Sequence, residues 1–216
     1  MTTAAQAWAE ETEQSLLDQA LKLTPVHGWT RHMTVLAGQA VGMSAGETEL
    51  LLPHGAADLA ALLSRRHDAR ALATLDGVHA SNLKIRERVR RAVEARLDAA
   101  APDETALRRW MGFLALPQNL GLGSRLAWES ADHLWRWAGD TATDENHYSK
   151  RAILAGILTA ATALRLTQGR DEAMAFVDRR IDDVMRFEKW KATTDFRPSQ
   201  WMAQAAAHLG KVRYGG

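Results

Sequence analysis

The residues best suited to chemistry are concentrated between Trp135 and Leu158. Trp135 and Trp137 precede a Gly139-Asp140 turn. A polar loop follows with Asp144, Asn146, His147 and Tyr148, then the basic doublet Lys150-Arg151, then a nearly unbroken apolar run. His133, Asp140, Asp144 and His147 are metal-ligand types close enough in sequence to approach one another. The pattern reads better as a polar surface that recognises something beside an apolar interior.

Other chemical signatures are weaker. Gly42-Met43-Ser44-Ala45-Gly46 has the G-x-S-x-G form of a serine nucleophile, but that form works only where a strand enters a strained turn. Here a helix precedes it, and Ser44 is explained as a helix cap. The eight histidines form neither H-x-x-x-H nor H-E-x-x-H, and no Glu has a His three residues later, so zinc and di-iron bundle motifs are missing. No Gly-rich phosphate loop is present. The reading is of no catalytic residues, no metal site, no cofactor and no enzyme.

The elements that position these residues are helical throughout, since no segment alternates with period two. Helices are expected over about Thr12–Leu23, ended by Pro25 and Gly28; from a Thr30 cap to Gly42; from the capping box Ser44-Ala45-Gly46-Glu47 to Pro53; and over Ala56–Leu75 and Asn82–Ala100. Further helices are expected from Pro102 to Leu116, from the Gly121/Gly123 bend to Trp137, over Asp144–Leu166, from Asp171 onward, and over Ser199–Val212. The fold class is therefore all-α, a single domain of about nine or ten helices over 12–213 behind a flexible 1–11. Its 12–53 part has helix-turn-helix lengths, and 56–213 makes up the rest of the bundle.

The 216 residues, 46% apolar and 25% charged, suit one globular domain with a sizeable core. A net charge of +1 gives no global drive toward nucleic acid. Between Met33 and Ser64 there is no Lys or Arg, and Glu47 and Glu49 fall where a recognition helix would lie. That helix would repel a phosphate backbone. The absence of cysteine excludes disulfides and thiolate chemistry. The first residues carry Glu10, Glu11 and Glu13 and no early cation, so no targeting peptide is read. The longest apolar stretch, Ala152–Leu164, falls short of the ~20 residues a membrane span needs.

Trp135 and Trp137, two apart on a helix, point about 200° apart, so one can face the core and the other a partner, lipid or solvent. The Ala-, Gly- and Thr-rich helix after the loop is apolar nearly all round. It must be covered on most sides, and its small side chains permit close packing or a long apolar ligand. The cationic face Lys84, Arg86, Arg88, Arg90 and Arg91 reads as solvated. Trp201, Ala205, Leu209 and Val212 can share one face of a weakly amphipathic last helix, which suits membrane contact or packing back on the domain.

The Trp137–Arg151 segment resembles the signature of the coenzyme Q (ubiquinone) biosynthesis lipid-binding family, the Coq-nine type. That signature reads roughly A-G-D-x-S-T-D-x-N-W-Y-T-K-R before a long apolar helix. Gly28-Trp29-Thr30, Gly42-Met43-Ser44, Leu51-Leu52-Pro53-His54-Gly55 and Ile85-Arg86-Glu87-Arg88-Val89 resemble its front end. The resemblance implies a TetR-like fold with a vestigial N-terminal helix-turn-helix. It also implies a bound isoprenoid or phospholipid ligand, a homodimer, and presentation of a quinone precursor to the di-iron demethoxyubiquinone hydroxylase or another ubiquinone-synthesis enzyme. Two positions depart: Glu145 and His147 stand where the family has aromatics, and anchors of that kind contribute ~1–2 kcal/mol each.

The expected lipid pocket lies between the 126–137 and 152–166 helices, lined by Leu134, Trp135, Trp137, Leu154, Ile157, Leu158 and Ala161. The expected partner-facing rim is Asp140, Asp144, Asn146, His147, Tyr148, Lys150 and Arg151. The expected location is the bacterial cytoplasm, with peripheral contact at the inner membrane and no nucleic-acid partner. The alternatives left open are a TetR-like ligand-responsive regulator and an enzyme acting on a lipid or quinone.

Overall fold

In the computed structural model of the chain, residues 4–140 and 145–193 are described, with side chains over 6–140 and 147–186. The all-α expectation holds. The helices are α1 (Ala4–His27), α2 (Arg31–Ala40), α3 (Ala45–Leu51), α4 (Ala56–Leu75), α5 (Ile85–Ala100), α6 (Glu104–Leu114), α7 (Leu120–Trp137), α8 (Glu145–Gln168) and α9 (Arg170–Thr193), with no strand among the described residues. The helix expected at Ser199–Val212 lies outside the described residues. By its contacts the chain divides into two units, Met1–Val177 and Asp178–Gly216. In the second, Asp183 pairs with Arg180 and Arg186.

Helix α1 starts earlier than expected, at Ala4, and runs through Pro25 to His27. Proline lacks the N–H that would reach back to the Leu21 carbonyl. The Thr24 hydroxyl donates to that carbonyl instead, at 3.1 Å, so the helix survives its proline. The buried face of α1, with Leu16, Leu17 and Ala20, packs against α2, α4 and α6.

The α2–turn–α3 element forms as its caps dictate. Thr30 accepts the Met33 amide at 3.2 Å. Ser44 and Glu47 close a reciprocal capping box, and those hydrogen bonds hold the Glu47 carboxyl below the ordinary range. The two helices touch closely: a Cβ at Gly38 would stand 2.1 Å from the Thr48 hydroxyl. Met33, Ala37, Leu59, Leu63, Leu107, Trp110 and Leu126 join the α1 residues in the main core. Trp29 and Trp110 are buried there, and their indole N–H groups donate to the carbonyls of Ala106 (3.2 Å) and Ala60 (2.9 Å).

Candidate functional site

The Gly139-Asp140 turn is set by how α7 ends. Gly139 takes φ +89°, the Gly139 amide donates to the Arg136 carbonyl, and the Asp140 amide reaches back to the Trp135 carbonyl, both at 3.0 Å. This is the Schellman pattern, which favours glycine at the left-handed position. Arg88, expected on a solvated face, is half-buried and donates to the Ala138 carbonyl at 2.9 Å, covering another helix-end acceptor.

The turn delivers Asp140 to the first turns of α8. Lys150 Nζ lies 2.8 Å from Asp140 Oδ1 and Arg151 Nη1 2.9 Å from Asp140 Oδ2. Arg151 Nε also binds Asp132 Oδ1 of α7 at 2.6 Å, and its Nη1 donates to the His147 carbonyl at 3.2 Å. Burial pushes the Asp140 carboxyl up, but hydrogen bonds and charge from Lys150 and Arg151 outweigh it and hold the carboxyl low. Trp135 donates to the Lys150 carbonyl at 3.0 Å, and Lys150 Nζ sits 5.6 Å above the Trp135 ring.

This arrangement revises the expected rim. Arg151 is only 1% exposed, so its charge is met inside the chain, by carboxylates on both sides of the α7–α8 joint. Tyr148, 64% exposed, is the outward residue, and its ring sits 5.2 Å from that of His147 and 6.1 Å from that of Trp128. His147 and Lys150 are half-buried. Asp144 lies outside the described residues. Asn146 belongs to α8, and its side chain is likewise outside them.

The expected lipid-lining set is also redistributed. Leu134, Leu154, Ile157 and Ala161 are buried in the packed interior. The two tryptophans diverge as their spacing requires. Trp135 turns to α8, and Trp137 donates to the Leu75 carbonyl at the end of α4, at 3.3 Å. Of the expected set, Leu158 lines the cavity described next.

That cavity, of about 630 Å³, opens between α6, the first half of α7 and the middle of α8. It forms beside Leu154, Ile157 and Ala161 on α8, where Ala155, Gly156, Thr159, Ala160 and Ala163 leave room that larger side chains would fill. Its apolar walls include Leu107, Trp110, Leu114 and Leu126. Its outer edge is exposed at Leu120, Ser124, Gly156 and Thr159.

Sequence reasoning missed the polar end of this cavity, where Ser64 of α4, Arg96 of α5 and Ser130 of α7 contribute buried polar side chains. Arg96 Nε pairs with Asp68 Oδ1 at 2.5 Å, and Arg96 Nη2 reaches the Ser64 carbonyl and hydroxyl at 3.5 and 3.4 Å. Ser130 donates to Asp68 Oδ2 at 2.9 Å, and His133 Nδ1 stands 3.6 Å from the same oxygen. Burial pushes Asp68 up, but His133, Arg96 and Ser130 together hold it low, and the Asp68 carboxylate raises the His133 pKa. The available signal was Arg96 itself, a charge within the apolar stripe Ala92, Val93, Leu97 and Ala100.

Behind this group, His67 Nε2 lies 2.8 Å from Asp103 Oδ2. Burial, aided by the Arg96 and Arg70 charges, keeps the His67 pKa low against the pull of Asp103. The imidazole is therefore neutral near pH 7, with its Nε2–H donating to Asp103, and Arg70 at 3.0 Å is that carboxylate's ionic partner. Among the described residues no group of three or more His, Cys, Asp or Glu could hold a metal ion.

Comparison with known proteins bears on the α7–α9 region first. Residues 120–188 match the COQ9 family model. The chain is 29% identical over 186 residues to the ubiquinone biosynthesis protein COQ9, mitochondrial, of Rattus norvegicus, covering 82% of this chain and 59% of that protein. For the Homo sapiens protein of that name it is 27% over 187 residues, covering 82% and 58%. For the probable ubiquinone biosynthesis protein coq9, mitochondrial, of Dictyostelium discoideum it is 26% over 193 residues, covering 84% and 62%. The chain thus spans about three-fifths of the length of these relatives.

The crystal structure of a TetR transcriptional regulator from Nitrosomonas europaea ATCC 19718 superposes with a TM-score of 0.62 at 15% identity, covering 80% of this chain and 97% of that one. The likeness establishes the TetR-like fold. The relatives are mitochondrial by name, so the expected bacterial cytoplasmic placement at the inner membrane does not stand. No helix among the described residues is long and apolar enough to cross a membrane. The chain thus matches the COQ9 family model over 120–188 and is similar to the COQ9 proteins over 82% of its length.

Proposed function

We propose that this chain is a non-enzymatic, lipid-binding accessory protein of ubiquinone biosynthesis. The cavity would hold the apolar body of an isoprenoid lipid or quinone precursor, and the protein would present it to a partner enzyme. The observation that carries the reading is the half-open cavity of about 630 Å³, whose walls are largely apolar and which opens along the small side chains of α8. Pockets for drug-sized and cofactor ligands share that size range and apolar lining. The relatives' role in ubiquinone biosynthesis, given by their names, supplies the pathway.

The partner surface would centre on Tyr148, with His147 and Lys150 beside it and Asp144 and Asn146 preceding it in sequence. Asp140 and Arg151 would act through position, by fixing the start of α8 against α7. The partner named by the resemblance is the di-iron demethoxyubiquinone hydroxylase, and the assembly a homodimer. A transcriptional role gains only the fold: α3 carries Glu47 and Glu49, and Glu49 is met by Arg31 at 3.7 Å. The test is native mass spectrometry of protein purified without detergent. A copurified isoprenoid or phospholipid is expected. Ligand-free protein that takes up no lipid from vesicles would refute the reading.

A further inference from the structure

The cavity has one polar end, and that end has donors to spare. Arg96 is 7% exposed and faces the cavity from α5. Its Nε goes to Asp68 and its Nη2 to Ser64, and its Nη1 makes no hydrogen bond among the described residues. The Ser64 hydroxyl accepts from Arg96, so its own hydrogen is also available. Ser130 has already given its hydrogen to Asp68. The Trp110 indole is likewise committed, to Ala60. The depth of the cavity therefore presents donors within apolar walls, while its exposed lip at Leu120, Gly156 and Thr159 carries no charge.

Burying a guanidinium costs several kcal/mol unless it is fully partnered. Asp68 balances its charge, and the remaining Nη1 is not sealed in the core but opens on the cavity, where a ligand can reach it. What completes the set is an acceptor oxygen. The charge balance also selects its kind: a carboxylate head would add a buried negative charge to an Arg96–Asp68 pair that is already neutral, whereas a carbonyl adds none.

We propose that Arg96 and Ser64 form a head-group subsite for a neutral carbonyl oxygen, a ring ketone of a quinone or an ester carbonyl, so that the ligand enters head-first with its tail toward the α8 lip. The proposal rests on the lipid-binding reading above and adds orientation and head-group chemistry to it.

Four probes with matched tails test it: a decyl-substituted benzoquinone, methyl dodecanoate, dodecanoate and dodecane, each titrated into the whole protein and followed by calorimetry. At least one neutral carbonyl probe should bind about ten-fold more tightly than dodecane, the increment of roughly one well-made buried hydrogen bond. The tighter of the two identifies a ring or an ester as the source. Ser64→Ala, which spares the ion pair, should reduce that advantage several-fold. The paired variant Arg96→Met with Asp68→Asn should abolish it, so that the carbonyl probes bind no more tightly than dodecane. A purely structural ion pair would instead lower all four affinities together.

Equal binding of all four probes to the wild type overturns the subsite and leaves the lipid cavity standing. Tightest binding by dodecanoate also overturns it. Failure of every probe to bind overturns the lipid-binding reading itself. If the paired variant does not fold, an unchanged carbonyl advantage in Ser64→Ala refutes the proposal.

Discussion

The Arg151 guanidinium lies 2.9 Å from the Asp140 carboxylate across the joint between α7 and α8, and the two side chains are only 2% and 6% exposed. The same guanidinium holds Asp132 at 2.6 Å. Arg151→Met would strand both carboxylates, although Lys150 still reaches Asp140 and Arg136 still reaches Asp132 at 2.8 Å each. Breaking a buried pair from one side costs about 3–5 kcal/mol where no substitute exists, so with these substitutes ~3 kcal/mol is expected. Asp140→Asn leaves Arg151 its Asp132 partner and should cost about half as much. Urea denaturation measures both, and losses within ~0.5 kcal/mol of zero, the surface-substitution range, would remove the joint's structural role.

The consequence for partner binding is that loss of a complex in Arg151→Met reports on the position of α8. Tyr148→Ala is the cleaner variant, because Tyr148 is 64% exposed and its ring neighbours among the described residues are Trp128 and His147. It should leave the melting temperature within about 2–4 °C of wild type, the equivalent of ~1 kcal/mol. It should weaken a pull-down of the hydroxylase proposed above as partner. A melting point preserved alongside undiminished capture would move the partner surface elsewhere.

The features legible in the sequence are those decided by residues near one another in the chain. The Ser44–Glu47 capping box and the Gly139 turn each follow from a few adjacent residues and form as read. Pro25 misleads for a related reason: its neighbour Thr24 supplies the hydrogen bond the proline withholds. The cavity lies against both helices expected to hold it, but apart from Leu158 its lining differs from the side chains expected. Leu154, Ile157 and Ala161 form the apolar stripe that a sequence shows, and such a stripe is what the core consumes. The empty space falls on the adjoining face, where side chains are small. The Arg96–Asp68 and Arg96–Ser64 contacts join α5 to α4 across tertiary distance, and no periodicity announces them.

Gly139→Ala tests the turn that aims Asp140. A side chain at φ +89° is strained, and its Cβ would stand 3.1 Å from Arg88 Nη1. The expected cost is ~1–2 kcal/mol. Gly121→Ala, in the first turn of α7 with nothing within 4 Å of its Cβ, is the control and should be neutral. If the two variants melt together, the left-handed turn does not set the joint.

The two histidines behind the cavity give stability opposite pH dependences. The His133 pKa is raised above 6.5 by the Asp68 carboxylate. Its contribution is therefore complete below about 6.5 and is lost as pH rises through the folded value. The His67 pKa is lowered by burial, so the unfolded chain takes up a proton that the fold refuses. Stability then falls as pH drops below about 6.5 toward that lowered value. Asp68, Asp103 and Asp140, all held low, add a further loss as pH falls below about 3.8 through their folded values. Melting curves at a series of pH values should flatten on the alkaline side in His133→Gln and below about pH 6.5 in His67→Gln. Curves parallel to wild type in both variants would contradict the assignment.

Gly156 separates the cost of the cavity to the fold from its use. It sits inside α8 and lines the cavity, and a Cβ there would meet nothing within 4 Å. Glycine inside a helix is less stable than alanine by about 0.5–1 kcal/mol, so Gly156→Ala should raise stability by that amount. A larger side chain pays no steric penalty at its Cβ and projects into the opening. Gly156→Leu should therefore fold at least as well as wild type while taking up lipid more than about ten-fold less well, since a filled site cannot bury the ligand's apolar surface. The pairing of gained stability with lost binding is expected only if the α8 face is the ligand wall. A stable Gly156→Leu protein with wild-type lipid uptake would place the ligand elsewhere.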